Sequence, residues 1–113
     1  MDDIKGIQAV LGEARGGSYE EQLAISHAIR NRGTFAGVYG LNAKLDDVTG
    51  EEYQLASKAW YESEEGSDPT FGANHWLSAW DLKHCRPSLI KWRLGMVKTV
   101  IVGRFTFYRG NKP

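Results

Sequence analysis

The apolar residues at the start of the chain recur every three or four positions, a spacing that gathers them on one face of a helix. They are Ile4, Ile7, Val10, Leu11 and Ala14. Aspartates at positions 2 and 3 can cap the first turn, and the glycines at 16 and 17 can take the left-handed conformation that ends a helix. The pattern predicts a helix over residues 2–15.

A second helix is predicted directly after these glycines. Ser18 and Glu21 form a capping-box pair, in which each side chain binds the backbone N–H of the other residue. Between Leu23 and Ile29 the apolar residues lie nearly all round the helix, which in a small domain indicates a central, buried helix. Cationic residues followed by Gly33 indicate its end.

The middle of the chain predicts one more helix between less regular segments. Residues 33–48 carry glycines and scattered aromatics without a period, so we expect a loop anchored by aromatic side chains. A capping-box pattern at Thr49 and Glu52 begins a helix predicted over residues 50–63. Residues 79–97 are mixed in character, and we expect a loop with one helical turn.

Two late segments favour β-structure. Residues 73–77 form a short candidate strand, and β-branched and aromatic residues fill positions 99–102 and 105–108 on either side of Gly103. We expect these segments to pair as a small antiparallel sheet. The predicted fold class is therefore α+β, a helical core with a small antiparallel sheet.

Composition limits the domain count and the function classes. At 113 residues, of which 42% are hydrophobic, the chain is long enough for one globular domain and too short for two. Its 14 basic and 14 acidic residues balance, which argues against a nucleic-acid partner. No stretch approaches the ~18–20 apolar residues of a membrane span. We expect residues 1–113 to form a single domain.

The histidines and the cysteine do not form a metal-binding pattern. His27, His75 and His84 lack the spacing of a zinc site, and Cys85 is the one cysteine. A thiol nucleophile is a poor candidate, because residues adjacent in sequence, such as Cys85 and His84, seldom reach the geometry of a catalytic dyad. We expect neither a metal nor an organic cofactor.

Glu13 is the most informative polar residue. It borders the apolar face of the first predicted helix and lies in the last turn, beside the negative end of the helix dipole. Partial burial and the dipole both raise the pKa of a carboxyl group, which is what a general acid needs. The alternative is a surface glutamate paired with Arg15 or Lys5, and helix geometry alone leaves both interpretations open.

Three motifs occur in order along the chain. The first is GEARG at residues 12–16, followed by Tyr19, Gln22, Ala24, Asn31 and Arg32. The second is the turn DPTFGA at 68–73, and the third is VGRFTFY at 102–108. The ordered set resembles the SleB/CwlJ-like cell wall hydrolase domain, a peptidoglycan-cleaving family of spore cortex-lytic enzymes and related phage proteins. The resemblance extends over residues 7–108.

The resemblance implies a lysozyme-like α+β fold with a cleft whose essential acid is the glutamate of GEARG, here Glu13. The chain departs from the family pattern at two places. Gly17 stands where the family often has an acid, and Arg104 and Phe105 replace the usual Asn-His of the last motif. Because of the second departure, we assign no role to the polar groups of the last strand.

The resemblance also bears on the reaction. Glycosidases commonly pair two carboxylates, and Asp68 is the one acid in the other matched motifs, although it can equally cap the DPT turn. With Glu13 working alone, we expect a lytic transglycosylase that cuts the MurNAc–GlcNAc bond. Glu13 would protonate the leaving oxygen and then help the 6-hydroxyl of muramic acid close a 1,6-anhydro ring. The alternative is a degenerate member that binds peptidoglycan or a phage structural partner without cleaving it.

Several residues of the matched motifs are candidates for binding the glycan strand. Sugar rings present apolar faces, on which aromatic side chains can stack. The candidates are Asp68, Thr70, Asn74, Trp76 and Tyr108. Core packing is the alternative interpretation of Trp76 and Tyr108.

The first residues bear on where the protein acts. The segment from Met1 to Lys5 is acidic, whereas a secretory signal is basic and then apolar. We expect the protein to be synthesised in the cytoplasm and to act on the cell wall after release. A pore-forming holin would release it, as expected for a phage lysin.

Overall fold

A computed structural model describes residues 1–111, whose elements follow one another in a simple order. They are α1 (Asp3–Ala14), α2 (Tyr19–Arg32), a first 3₁₀ helix (Tyr39–Asn42), α3 (Gly50–Glu62), β1 (His75–Ser78), α4 (Ala79–His84), α5 (Pro87–Ile90), a second 3₁₀ helix (Lys91–Gly95), β2 (Val97–Val102) and β3 (Phe105–Arg109). The three long helices and the strands are confirmed, as is the α+β class. None of the helices in residues 1–111 has the length and apolar character to cross a membrane.

Local capping explains why the long helices begin where the sequence predicts. The side chain of Asp2 accepts a hydrogen bond from the backbone N–H of Lys5, which caps α1. Both predicted capping boxes are present, at Ser18 for α2 and at Thr49 for α3. Gly33 ends α2 in the left-handed conformation, with φ 76°.

The three strands form an antiparallel sheet in the order β1-β3-β2, so β3 is central and β1 has one free edge. Phe105 and Phe107 of β3 pack into the main core formed by α1, α2 and α3. Tyr108, which alternates with them, belongs to a second cluster with Leu77 and Ile90. The sheet therefore separates the helical core from the short helices that follow β1.

The prediction for residues 79–97 is wrong, because this segment contains α4, α5 and the second 3₁₀ helix. Ser78 and Asp81 form a third capping box, and Pro87 stands at the first position of α5. Such short helices are marginal by themselves. Apolar packing of this segment against β1 and β3 in the second cluster accounts for their formation here.

The two departures from the family pattern lie side by side. Buried Glu21 accepts hydrogen bonds from Arg104, at 2.7 Å from the backbone N and at 3.0 Å from Nε. A Cβ at Gly17 would lie 2.8 Å from an Arg104 guanidinium nitrogen and 2.8 Å from Glu21 Oε1. The absence of a side chain at residue 17 thus leaves room for the ion pair that ties the β2–β3 hairpin to the start of α2.

Candidate active site

A cleft of about 640 Å³ lies along β1, between the last turn of α1 and the short helices after the strand. The residues that line it come from both ends of the chain. They are Gly12, Glu13, Arg32, Gly37, Tyr39, His75, Trp76, Leu77, Ser78, Asp81, Cys85, Leu89, Ile90, Trp92 and Phe105. Glu13 and Trp76 are the two sequence-predicted site residues that the structure brings together here.

Glu13 is half-buried, and a neighbouring indole holds its carboxyl group. The Nε1–H of Trp76 donates a hydrogen bond to Oε1 of Glu13 at 2.6 Å. Arg15 is bound elsewhere, with Nε 2.7 Å from Glu52 Oε2 and Nη1 2.8 Å from Asp47 Oδ1. The alternative of a surface pair between Glu13 and Arg15 is therefore wrong, and Arg15 instead ties α1 to the start of α3.

Two facing glycines bring backbone against the carboxyl group. A Cβ on Gly12 would lie 1.8 Å from the carbonyl oxygen of Gly40, and a Cβ on Gly40 would lie 2.7 Å from Oε2 of Glu13. Real Cβ atoms do not tolerate such distances, so both positions need glycine. The close approach packs the first 3₁₀ helix onto α1 and removes water from one side of Glu13.

The surroundings of Glu13 raise its pKa above the usual value. Burial is the largest cause, because it disfavours the charged form. Hydrogen bonds from Trp76 and the backbone of Gly40 lower the pKa but do not cancel burial, and the negative charge of Asp81 raises it further. The carboxyl group thus keeps its proton to a higher pH, as a general acid requires.

Asp81 is a second carboxylate in the same cleft, and the sequence analysis missed it. Its Oδ2 accepts the backbone N–H of Ser78 at 3.1 Å, and its Oδ1 lies 3.7 Å from the thiol of Cys85. The signal that could have found it is the Ser-x-x-Asp capping pattern that begins two residues after Trp76. One oxygen of Asp81 thus caps the start of α4, and the other contacts the thiol of the residue that follows the helix.

Asp68 and Thr70 lie in the framework beside α2 and do not line the cleft. Asp68 Oδ1 accepts from the backbone N and Oγ1 of Thr70, and Oδ2 accepts from Asn31 Nδ2 at 2.8 Å and from the backbone N of Gly72. Burial raises the pKa of Asp68, but these hydrogen bonds outweigh it and lower the pKa overall. The side chain caps the DPT turn, and substrate contact by either residue stays a prediction.

Asn74 and Tyr108 are buried next to the cleft and are not among its lining residues. The Asn74 side chain binds both backbone groups of Gly110, and Tyr108 packs edge-on against Trp92 with ring centroids 5.8 Å apart. Direct contact of these two residues with substrate stays a prediction. Asn74 and Tyr108 do contact residues that line the cleft, Asn74 through His75 and Tyr108 through Trp92.

The thiol in the cleft has the wrong electrostatics for a nucleophile. Burial, the charge of Asp81 and its hydrogen bond all raise the pKa of the Cys85 thiol. The reactive thiolate is therefore disfavoured at neutral pH. Within residues 1–111, no three His, Cys, Asp or Glu side chains come together in a way that could hold a metal ion.

Comparison with known proteins bears directly on this arrangement. No family model matches the chain, and no curated protein matches it. The crystal structure of the catalytic domain of the Bacillus cereus SleB protein does match, with a TM-score of 0.65 and 26% sequence identity. The alignment covers 95% of this chain and 89% of that chain. The chain has a SleB-like, lysozyme-like fold.

The SleB-like fold confirms the resemblance read from the three motifs. Because the match spans nearly the whole of both chains, the α-helical core, the sheet and the cleft region all fall within it. The similarity supports an enzyme of the cell wall hydrolase type.

Proposed function

We propose that this protein cleaves the glycan strands of peptidoglycan as a lytic transglycosylase, with Glu13 as its catalytic acid. The observation that carries the proposal is the state of Glu13, a carboxyl group with a raised pKa, oriented by Trp76 in an open cleft. The SleB-like fold supports peptidoglycan as the substrate class, because the similar structure is the catalytic domain of SleB and the sequence motifs resemble those of a peptidoglycan-cleaving family.

Glu13 acts twice in the proposed reaction. It first gives its proton to the oxygen of the MurNAc–GlcNAc bond as that bond breaks and positive charge develops on the muramic acid ring. The resulting carboxylate then takes the proton of the 6-hydroxyl, whose oxygen attacks the anomeric carbon and closes a 1,6-anhydro ring. The proton returns to Glu13, so the protein is unchanged after one turnover.

The arrangement of Asp81 favours an internal nucleophile over water. A hydrolase needs a second carboxylate free to activate water or to form a covalent intermediate. Asp81 is the second carboxylate lining the cleft. Its Oδ2 accepts a hydrogen bond from the backbone N–H of Ser78, and its Oδ1 accepts one from the thiol of Cys85. Glu13 is therefore proposed to work without a catalytic partner of this kind.

The products distinguish the two chemistries. We expect mass spectrometry of digested glycan to show muropeptides that end in 1,6-anhydro-muramic acid, each lighter by one water than a hydrolysis product. Reducing ends should not accumulate in step with cleavage, and chelators should not inhibit. Reducing ends without anhydro product, lost in Asp81→Asn and retained in Asp68→Asn, would contradict the proposal and identify Asp81 as the partner in hydrolysis.

The pH profile tests the electrostatics of Glu13. Trp76→Phe removes a hydrogen bond that lowers the pKa of Glu13, and Asp81→Asn removes a negative charge that raises it. Activity of a general acid falls as the pH rises through its pKa. The alkaline limb of wall-clearing rates should therefore move to higher pH in Trp76→Phe and to lower pH in Asp81→Asn. Shifts in the same direction would show that Glu13 does not control this limb.

A further inference from the structure

One imidazole in the Glu13 cleft is held in a fixed orientation. His75 begins β1, is half-buried, and lines the cleft together with Glu13. Its ring packs on Trp92, with centroids 5.3 Å apart and an interplanar angle of 43°. Trp92 is itself braced by the edge-on contact with Tyr108. Rotation of the His75 ring is therefore restricted on one side by this aromatic packing.

The Asn74 side chain also restricts the His75 ring, through a hydrogen bond to Nδ1, and is itself fixed by backbone groups. Its Nδ2 donates to the carbonyl oxygen of Gly110 at 2.9 Å, and its Oδ1 accepts the N–H of Gly110 at 3.0 Å. A flipped amide would place donor against donor and acceptor against acceptor, so the assignment of the two atoms follows from backbone chemistry. The Asn74 atom that lies 2.8 Å from Nδ1 of His75 is thus an oxygen.

This geometry selects one tautomer of His75. Because Oδ1 of Asn74 can only accept, Nδ1 of His75 carries the hydrogen. Burial and the nearby charge of Arg32 lower the pKa of His75, so the ring is neutral near neutral pH. Nε2 is then left with a lone pair, and the one hydrogen bond that the His75 side chain makes within residues 1–111 is the bond between Nδ1 and Asn74.

We propose that Nε2 of His75 is a fixed hydrogen-bond acceptor for a donor group of the sugar bound in the Glu13 cleft. The donors that a peptidoglycan glycan offers are ring hydroxyls and acetamido N–H groups. The inference rests on the proposed function for its substrate. Asn74 and Tyr108 then become positioning residues, Asn74 through the tautomer and Tyr108 through Trp92.

The tautomer can be tested without any substrate. Imidazole nitrogen NMR of the isotope-labelled protein at neutral pH should show His75 with a protonated Nδ1 and an unprotonated Nε2. Addition of soluble, uncross-linked peptidoglycan glycan strands to the Glu13→Gln protein should move the Nε2 resonance in the direction of an accepted hydrogen bond. A hydrogen on Nε2 in the free protein would overturn the assignment.

Substitutions test the contact itself. His75→Phe keeps a ring that can pack on Trp92 and removes the acceptor, so in the Glu13→Gln background the Kd for these glycan strands should rise roughly tenfold. His84→Phe is the matched control, because His84 is exposed, packs on Trp80 at 4.7 Å and does not line the cleft. Its Kd should be unchanged.

The possible failures have different meanings. An unchanged Kd in His75→Phe, with glycan still bound by the parent protein, would overturn the role of His75 and leave the proposed function in place. Absence of glycan binding by the Glu13→Gln protein with residue 75 intact would overturn the proposed function and with it the sugar contact. The NMR assignment of the tautomer does not depend on either result.

Discussion

The Glu13→Gln protein should clear purified, permeabilised cell walls at least about a hundredfold more slowly than the unchanged protein, the scale of a lost general acid. Glutamine has nearly the shape of glutamic acid, and its side-chain oxygen can still accept the hydrogen bond from Trp76. What it lacks is a proton that it can transfer. Turbidity loss measures the rate, and the thermal midpoint should show that the fold is retained.

A matched substitution tests whether the loss of one glutamate charge elsewhere in the protein affects wall clearing. Glu51 lies exposed in the first turn of α3, away from the cleft, and Glu51→Gln should clear walls at the normal rate. A protein that only binds peptidoglycan would sediment with walls without clearing them, and substitution of Glu13 would change neither result. Equal clearing by Glu13→Gln and the unchanged protein would end the assignment of Glu13.

Gly12→Ala should lose both stability and activity, although it adds a single methyl group. The new Cβ would lie 1.8 Å from the Gly40 carbonyl oxygen and 2.4 Å from the carbonyl carbon. These are backbone atoms and cannot turn aside as a flexible side chain can, so the first 3₁₀ helix has to move off α1. We expect a loss of about 1–3 kcal/mol in the free energy of unfolding, measured by urea titration.

Activity should fall in Gly12→Ala because Glu13 depends on the same contact. If Gly40 moves away, water reaches the carboxyl group and the burial that raises its pKa is reduced. Gly50→Ala is the control, since Gly50 lies in the first turn of α3 with nothing within 4 Å of an added Cβ. Wild-type stability in Gly12→Ala would show that the two segments are not held in contact.

The sequence correctly predicts those features of the fold that depend on residues close together in the chain. The bounds of α1, α2 and α3 follow from caps and glycines a few positions apart, and Glu13 follows from its place on one helix. The sequence does not predict the short helices after β1, because their packing against Tyr108 is a long-range property. The capping box at Ser78 is a local signal for the start of α4.

The candidate site was only partly predictable, for a similar reason. Motif matching finds residues that a fold requires, but it does not distinguish residues that face the cleft from residues that support its walls. Thr70 and Asn74 are buried and do not line the cleft, so they are supporting residues. The approach of Gly40 and Asp81 to Glu13 joins segments about 27 to 68 positions apart in the chain. The hydrophobic periodicity of the sequence does not predict a contact between such distant segments.

The raised pKa of Glu13 also has a consequence for the pH dependence of folding. In the unfolded chain this carboxyl group ionises at its usual pKa, whereas in the native protein it holds its proton to a higher pH. Its contribution to stability is therefore greatest below the unfolded pKa and is lost as the pH rises through the folded pKa. Above the folded pKa the native state carries an ionised, partly desolvated group whose cost the rest of the core has to offset. The residue proposed to break the glycan bond is thus one that makes the fold less stable as the pH rises.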